Sequence, residues 1–244
     1  MYWIIAIIAI VAIGFLFLKF LLKISPLHKA IEEGRIDDAK NMIMGGVEVN
    51  TKNIMTCASP IYSAAIRNQI DIVKMLITKG ASVKTSLRDG CTILHSIAHG
   101  NTTFTVELID LLINNGFDIN AIDKHGQTAL FLACFRKDSS LADYLLEKGA
   151  DVNSGKKTPI YAAASFSSAS LVAKLIDKGA NINDQSSPQK DTPLHYAATE
   201  GNIEVIKFLL EQGADTKLTN SLGRTALANA SLKNNTEAVN LLKN

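Results

Sequence analysis

In the stretch DTPLHYAATEGNIEVIKFLLEQGAD, residues 191–215, the apolar positions Ile203, Ile206, Leu209 and Leu210 recur at the spacing of one helix face. The pattern predicts an amphipathic helix there. Upstream, Thr192 stands before Pro193. A threonine hydroxyl can accept from the first free backbone N–H groups of a helix, and proline is pre-set for the first helical position. A shorter helix is therefore predicted to begin at Pro193. Gly201 separates the two at a point where the backbone needs positive φ. Gly213 follows the last apolar pair, as a residue just past a helix end does, and Asp215 leads into a polar turn. The unit is helix, turn, helix and an outward turn, called a finger below.

The same register recurs along the chain. The position of Pro193 is repeated at Pro26, Pro60, Ile93, Ala129, Pro159 and Ala226, with spacings of 34, 33, 36, 30, 34 and 33 residues in chain order. A closing glycine follows 20 residues later at Gly46, Gly80, Gly149, Gly179 and Gly213, and 23 later at Gly116. Six registers closing at nearly one spacing are hard to obtain by chance, so a helical repeat of about 33 residues organises the chain.

The segments TPLHYAATEGN, SPLHKAIEEGR and DKHGQTAL resemble the ankyrin repeat, and the resemblance extends over roughly residues 25–244. It implies an all-α solenoid of about seven helix-turn-helix repeats, at about 25–58, 59–91, 92–127, 128–157, 158–191, 192–224 and 225–244. Stacking would bury apolar stripes that no single repeat can bury alone, with Leu145, Leu146, Leu175, Ile176, Leu209 and Leu210 in the core.

The run ahead of the first repeat is of a different kind. Tyr2 to Leu18 carry no charge, and the apolar run resumes after Lys19 at Phe20, Leu21 and Leu22. About 21 residues at 1.5 Å each give ~30 Å, the thickness of a bilayer's hydrocarbon core, so residues 2–22 are expected to form one transmembrane helix. A cleaved signal peptide fits less well, because no basic residue opens the chain and LKFLLKISPLH offers no small-x-small cleavage site. Lys19, Lys23, Lys29 and Arg35 all follow the span, which places the repeats on the cytoplasmic side by the positive-inside rule. Tyr2 and Trp3 suit the interfacial belt, and no GxxxG pairing motif occurs, so the anchor is read as monomeric. Only Ile24 and Ser25 separate the run from Pro26, which sets the repeats close to the membrane surface.

Departures from the repeat mark particular places. Asp37, Asp38 and Lys40 make the first repeat's second helix polar, and the last copy lacks a closing glycine and finger; both suit terminal caps. Asn68 and Lys137 stand where other copies have the mid-repeat glycine, and Lys137 is expected to carry strain. Three extra residues in the third repeat are expected in the helix-helix turn around GNTT, and the finger between Gly149 and Thr158 is about three residues shorter than its siblings.

Composition narrows the function classes. The net charge is +2 with 20% charged residues, and three cysteines without paired or metal-ligand spacing argue against a disulfide framework or a zinc site. Cys134 is expected in the core. The fingers carry Lys52, Lys84, Arg88, Lys124, Lys156, Lys157, Lys190, Lys217 and Arg224, but Glu48, Asp89, Asp118, Asp123, Asp151, Asp184, Asp191 and Asp215 nearly cancel them. No one-signed surface for nucleic acid results. His28, His95 and His195 share one place in the TPLH-like motif, where the ankyrin resemblance implies a hydrogen bond to the neighbouring turn. His99 and His125 have no nucleophile or paired carboxylate in their motifs. No phosphate-binding, dinucleotide or HExxH motif occurs. No enzyme activity, cofactor, metal or small-molecule substrate is expected.

The remaining class is protein binding. In ankyrin-like stacks the exposed first-helix positions and the fingers line a concave face. Positions matching Tyr196, Thr199 and Glu200 are Ser63, Ile66 and Arg67 in the second repeat, Leu132, Phe135 and Arg136 in the fourth, and Ala162, Ser165 and Phe166 in the fifth. Aromatic and arginine side chains dominate interface energetics, so Ile66, Arg67, Leu132, Phe135, Arg136, Phe166, Tyr196 and Glu200 are the candidate partner-binding residues. An apolar strip through Phe135, Phe166 and Tyr196 has two readings: an exposed interface, or rings tucked between repeats near the short finger. The expected function is a membrane-anchored scaffold or stoichiometric inhibitor holding a protein partner. The alternative is a secreted or extracytoplasmic-facing repeat protein that neutralises a toxin or other secreted protein, an immunity-type role.

Overall fold

The computed structural model describes residues 25–100 and 105–243. The described residues form an all-α structure of fourteen helices, in which short helices of six to eight residues alternate with longer ones of eight or nine. In chain order they are α1 (Pro26–Glu32), α2 (Ile36–Met44), α3 (Pro60–Ile66), α4 (Ile70–Thr78), α5 (Ile93–Ala98), α6 (Val106–Asn114), α7 (Ala129–Phe135), α8 (Ser139–Glu147), α9 (Pro159–Phe166), α10 (Ala169–Asp177), α11 (Pro193–Glu200), α12 (Ile203–Glu211), α13 (Ala226–Leu232) and α14 (Thr236–Lys243).

Every short helix starts at the residue that the repeat register gives. The cause is local. The hydroxyls of Ser25, Ser59, Thr128, Thr192 and Thr225 each accept from the backbone N–H three residues on, satisfying a donor that the helix start would leave free. All the short helices but α9 are followed by a left-handed residue, among them Gly201 at φ 71°, Asn68 at φ 54° and Lys137 at φ 62°, whereas α9 ends in the extended Ser167. Lys137 thus adopts the conformation that the sequence pattern demanded of it, at the steric cost of a Cβ.

The longer helices bury one stripe each. Leu145, Leu146, Leu175 and Leu209 are in the core, but Ile176 and Leu210, also expected there, are only half-buried. Each sits one position beyond the inward-facing leucine, a rotation of about 100° that carries it to the edge of the stripe, where of Leu146, Ile176 and Leu210 only Leu146 is buried. Cys134 is buried, Cys57 and Cys91 are half-buried, and none of the three is in a disulfide. Burial pushes the Cys134 thiol up to about 12, so it stays protonated and packs as a small apolar side chain. The polar second helix α2 buries only Ala39 and Ile43, and α14 only Ala238 and Leu242, whereas the second helices between them in sequence bury three or four residues each.

The described chain divides into two compact units. In the first, residues 25–89 and 105–117, α1 packs on α2 and α3, and α2 packs on α4. Thr105 Oγ1 donates to Asn68 Oδ1 at 3.1 Å, and Lys74 pairs with Glu107 at 2.6 Å across exposed helix faces. In the second, residues 90–100 and 118–243, the short helices α5, α7, α9, α11 and α13 pack one on the next, and α10, α12 and α14 follow behind.

The apolar run at 2–22 and the extra residues expected around GNTT fall outside the described residues, apart from Gly100. Among the described residues, no helix is long and apolar enough to cross a membrane.

Candidate functional site

The site of interest lies in the second unit, on α7, α9 and α11. Helix α7, ALFLACF, is apolar on every side because α5 flanks it on one side and α9 on the other. Its start is fixed by Thr128, whose hydroxyl accepts from Phe131 N at 3.1 Å. The run Ala162–Ala163–Ala164 in α9 carries little bulk, which lets the neighbouring helices come close. At the ends of these helices the larger rings emerge. Phe135 meets Phe166 edge-to-face, with centroids 5.1 Å apart and planes at 82°, and stacks on Phe131 at 6.3 Å. Tyr161 and Tyr196 lie 5.1 Å apart. Together these rings wall an open pocket of about 220 Å³, with Glu200 and Lys157 as its charged side chains.

Two substitutions in the repeat explain why the pocket is there. In regular copies a histidine occupies the third helical position and ties the helix to the end of the next finger. His28 Nε2 lies 2.9 Å from Ala58 O, His95 Nε2 2.8 Å from Gln127 O, and His195 Nε2 2.8 Å from Arg224 O. The bond to a neighbouring turn, implied by the family resemblance, is thus present in all three. In the fourth and fifth repeats the slot holds Phe131 and Tyr161. Tyr161 keeps a polar bridge: its hydroxyl accepts from Ser187 N at 3.1 Å and lies 3.1 Å from Ser186 Oγ. Phe131 has no polar group for such a bridge.

The finger that follows Phe131 is also the short one. It lies flat against its predecessor, with Lys156 N donating to Gly126 O at 2.7 Å. That approach requires Gly155, since a Cβ there would stand 2.7 Å from Gly126 O and its φ is 100°. Lys157, the last residue of this short finger, borders the pocket. An apolar ring in the histidine slot and a shortened finger therefore meet at one place.

Burial pushes the Tyr161 hydroxyl up to about 12 and raises that of Tyr196, so both rings stay neutral at ordinary pH. The pocket can receive an apolar or aromatic side chain, with polar contacts available from the phenol hydroxyls, Glu200 and Lys157. Among the described residues, no group of three or more His, Cys, Asp or Glu is placed to hold a metal ion.

The structure brings four of the candidate residues together here: Phe135, Phe166, Tyr196 and Glu200. Phe135 is 47% exposed, so packing does not use up its surface, whereas Phe166 and Tyr196 are half-buried. Leu132, expected on the exposed strip, is only 3% exposed, because α7 has a helix on both flanks. Arg136 caps the end of α7 and is exposed, with its guanidinium beside Gly100. Ile66 and Arg67 end α3 in the first unit, where Ile66 is half-buried and the exposed Arg67 turns its guanidinium toward Ser63 O at 3.4 Å. Register matching at exposed positions missed Phe131, Tyr161 and Lys157. Their signal was an aromatic residue in the histidine slot beside a shortened finger.

A family model described as "Ankyrin repeats (3 copies)" matches the chain over residues 27–108, 61–156, 97–186 and 160–244. The human B-cell lymphoma 3 protein is 31% identical over 212 residues, covering 83% of this chain and 46% of that protein. Palmitoyltransferase AKR1 of Lachancea kluyveri is 28% identical over 215 residues, covering 88% of this chain and 25% of the enzyme. The chain thus spans between a quarter and a half of the length of these relatives. The crystal structure of the ankyrin repeat domain of Bcl-3 superposes with a TM-score of 0.74 at 27% identity, over 91% of this chain and 99% of that one.

Proposed function

The chain belongs to the ankyrin-repeat family, and from that premise we propose that it holds one protein partner at a membrane surface, as a scaffold or stoichiometric inhibitor, through the aromatic pocket of α7, α9 and α11. Ankyrin repeats point to protein–protein interaction as the role. The observation that carries the finer reading is Phe135, a large ring left 47% exposed at the mouth of a pocket built from four further rings. A pocketed aromatic cluster of this kind is where interface energy concentrates. The membrane half of the reading rests on the sequence, where Tyr2 to Leu18 carry no charge and Lys19, Lys23, Lys29 and Arg35 follow. By the positive-inside rule these flanks support a cytoplasmic face for the repeats.

Two experiments test this. Phe135→Ala with Phe166→Ala should weaken partner binding by about 30-fold or more, the scale of a hot-spot loss near 2 kcal/mol. The same variant should cost about 2–3 kcal/mol of stability, the aromatic pair together with the partial burial of the two rings. A large fall in the melting temperature with binding intact would instead make the rings packing residues. Separately, a C-terminal compartment reporter should read cytoplasmic, and the chain should remain in carbonate-washed membranes. Release at a shorter mass, or a reporter on the far side, would put the neutralising role ahead.

A further inference from the structure

We propose that the tip of the first finger, Ile54 and Met55, inserts among lipid headgroups and so fixes the first unit against the bilayer. The inference rests on the anchor reading of residues 2–22 and adds a second lipid contact to it. Ile54 is 49% and Met55 66% exposed, two adjacent apolar side chains held out from the fold. They are held there by a turn with its own hydrogen bonds. Asn53 Oδ1 accepts from Met55 N at 2.9 Å and from Thr56 N at 3.2 Å, and Cys57 N donates to Asn53 O at 2.7 Å. The turn closes through Cys57, whose φ is 63°. Such a tip cannot fold its apolar side chains back without breaking those bonds.

Cations flank the tip. Arg88 donates from Nη2 to Ile54 O at 2.9 Å and from its backbone N to Thr56 O at 3.1 Å, and Lys52 is exposed on the near flank. Two apolar side chains with basic neighbours suit the boundary between acyl chains and anionic headgroups. Glu48, the nearest acid on this finger, is engaged at the base, where its carboxylate accepts from Asn50 N at 2.8 Å.

Position makes lipid the occupant. Both flanks of the finger reach the start of α1: Thr51 Oγ1 lies 3.5 Å from Ser25 Oγ, and Ala58 O is 2.9 Å from His28 Nε2. Ser25 is the residue at which the chain enters the fold from the apolar run. From Leu22 to Ser25 an extended chain covers at most ~10 Å, and from Thr51 to Ile54 it covers the same ~10 Å. The end of a span at Leu22 and the finger tip therefore lie within similar reach of one point. A headgroup layer of roughly 5–8 Å is comparable with that reach.

The test uses the full chain with Trp3→Phe, which removes its single tryptophan, and Ile54→Trp as the reporter, reconstituted in vesicles containing anionic lipid. Leu222→Trp in the same background is the solvent reference, because Leu222 is 67% exposed on the sixth repeat's finger. Relative to that reference, the residue-54 reporter should emit at shorter wavelength and be quenched about twofold or more by lipids brominated near the headgroup, and Met55→Asp should abolish both changes. Vesicle-bound chain whose residue-54 reporter matches the reference would overturn the finger contact and leave the anchor standing. Failure of the chain to float with the vesicles would overturn both.

Discussion

The sixth and fourth repeats, both in the second unit, follow one plan and serve it differently. In the sixth, Thr192, His195 and Gly201 each do a backbone's work. Thr192 and His195 form a capping box, with Thr192 Oγ1 2.7 Å from His195 Nδ1, while Nε2 reaches Arg224 O and Gly201 turns the chain at φ 71°. In the fourth, Thr128 is kept, but Phe131 replaces the histidine, Lys137 replaces the glycine, and the following finger is short. One repeat puts its special positions into stability and the other gives two of them up. The pocket appears where they are given up, so in this chain a relaxed repeat rule marks the candidate site more sharply than an exposed hydrophobic residue does.

The comparison breaks most visibly at the histidine. His195→Ala removes the bond to Arg224 O and both contacts to Thr192, at a residue only 1% exposed. Leaving buried polar groups unpaired and a void behind should cost about 3 kcal/mol in urea titration, with faster amide exchange in the finger ending at Arg224. Phe131→Leu, in the same slot, should cost about 1 kcal/mol and leave exchange in the short finger unchanged, because no bond to that finger is lost. Equal costs with equal finger loosening would mean that the slot is a packing position in both repeats.

A smaller effect separates the two turn residues. A Cβ at Gly201 would stand 3.2 Å from the Asn235 side chain, which donates to Ala198 O at 2.8 Å and Thr199 O at 2.9 Å, and it would also meet the left-handed φ. Gly201→Ala should therefore destabilise by about 2 kcal/mol. Lys137→Gly is the reverse exchange at an exposed residue with φ 62°, and should stabilise by about 1 kcal/mol after the added freedom of the unfolded chain is counted. Thermal melts of the pair decide it; a Lys137→Gly variant less stable than its parent would show that the lysine makes contacts worth more than the strain.

How much was legible in the sequence follows from the range of each interaction. Helix starts at Pro26, Pro60 and Pro193 were legible because a hydroxyl cap and a fixed proline φ act within four residues, and the start at Pro159 through the proline alone, since Thr158 Oγ1 donates to Asp184 Oδ2 instead. The positive φ at Gly201, Asn68 and Lys137 was legible for the same reason. The depth of Ile176 and Leu210 was not, because it depends on how far the neighbouring helix wraps around the stripe. At the site, register placed Phe135, Phe166 and Tyr196 on one strip. It could not place Phe131 and Tyr161 beside them, since their meeting depends on packing between helices some 30 residues apart and on the length of the intervening finger. Leu132 has the right register, but helices on both sides bury it.

The smallest effect concerns protons. At His28 the bridge titrates; where Tyr161 makes it, a hydroxyl pushed up to about 12 keeps its proton through the neutral and acid range. In the first unit His28 is held neutral, with Ser25 Oγ 2.8 Å from Nδ1 and Ala58 O 2.9 Å from Nε2. Burial lowers its pKa below the model-peptide value of 6.5, against smaller opposing contributions from the Ala58 carbonyl and from Glu32. The unfolded chain then binds the proton first, so this stabilisation is fully present above pH 6.5 and is lost as pH falls from 6.5 toward the depressed folded value. His28→Tyr copies the SPIY motif of the second repeat and supplies a bridge that does not titrate there. Urea midpoints taken on either side of pH 6.5 should show the stability of the parent, relative to this variant, shrinking on acidification. A difference that stayed constant would mean that His28 enters the unfolding equilibrium with its ordinary affinity for protons, and that the histidine and aromatic bridges differ in packing alone.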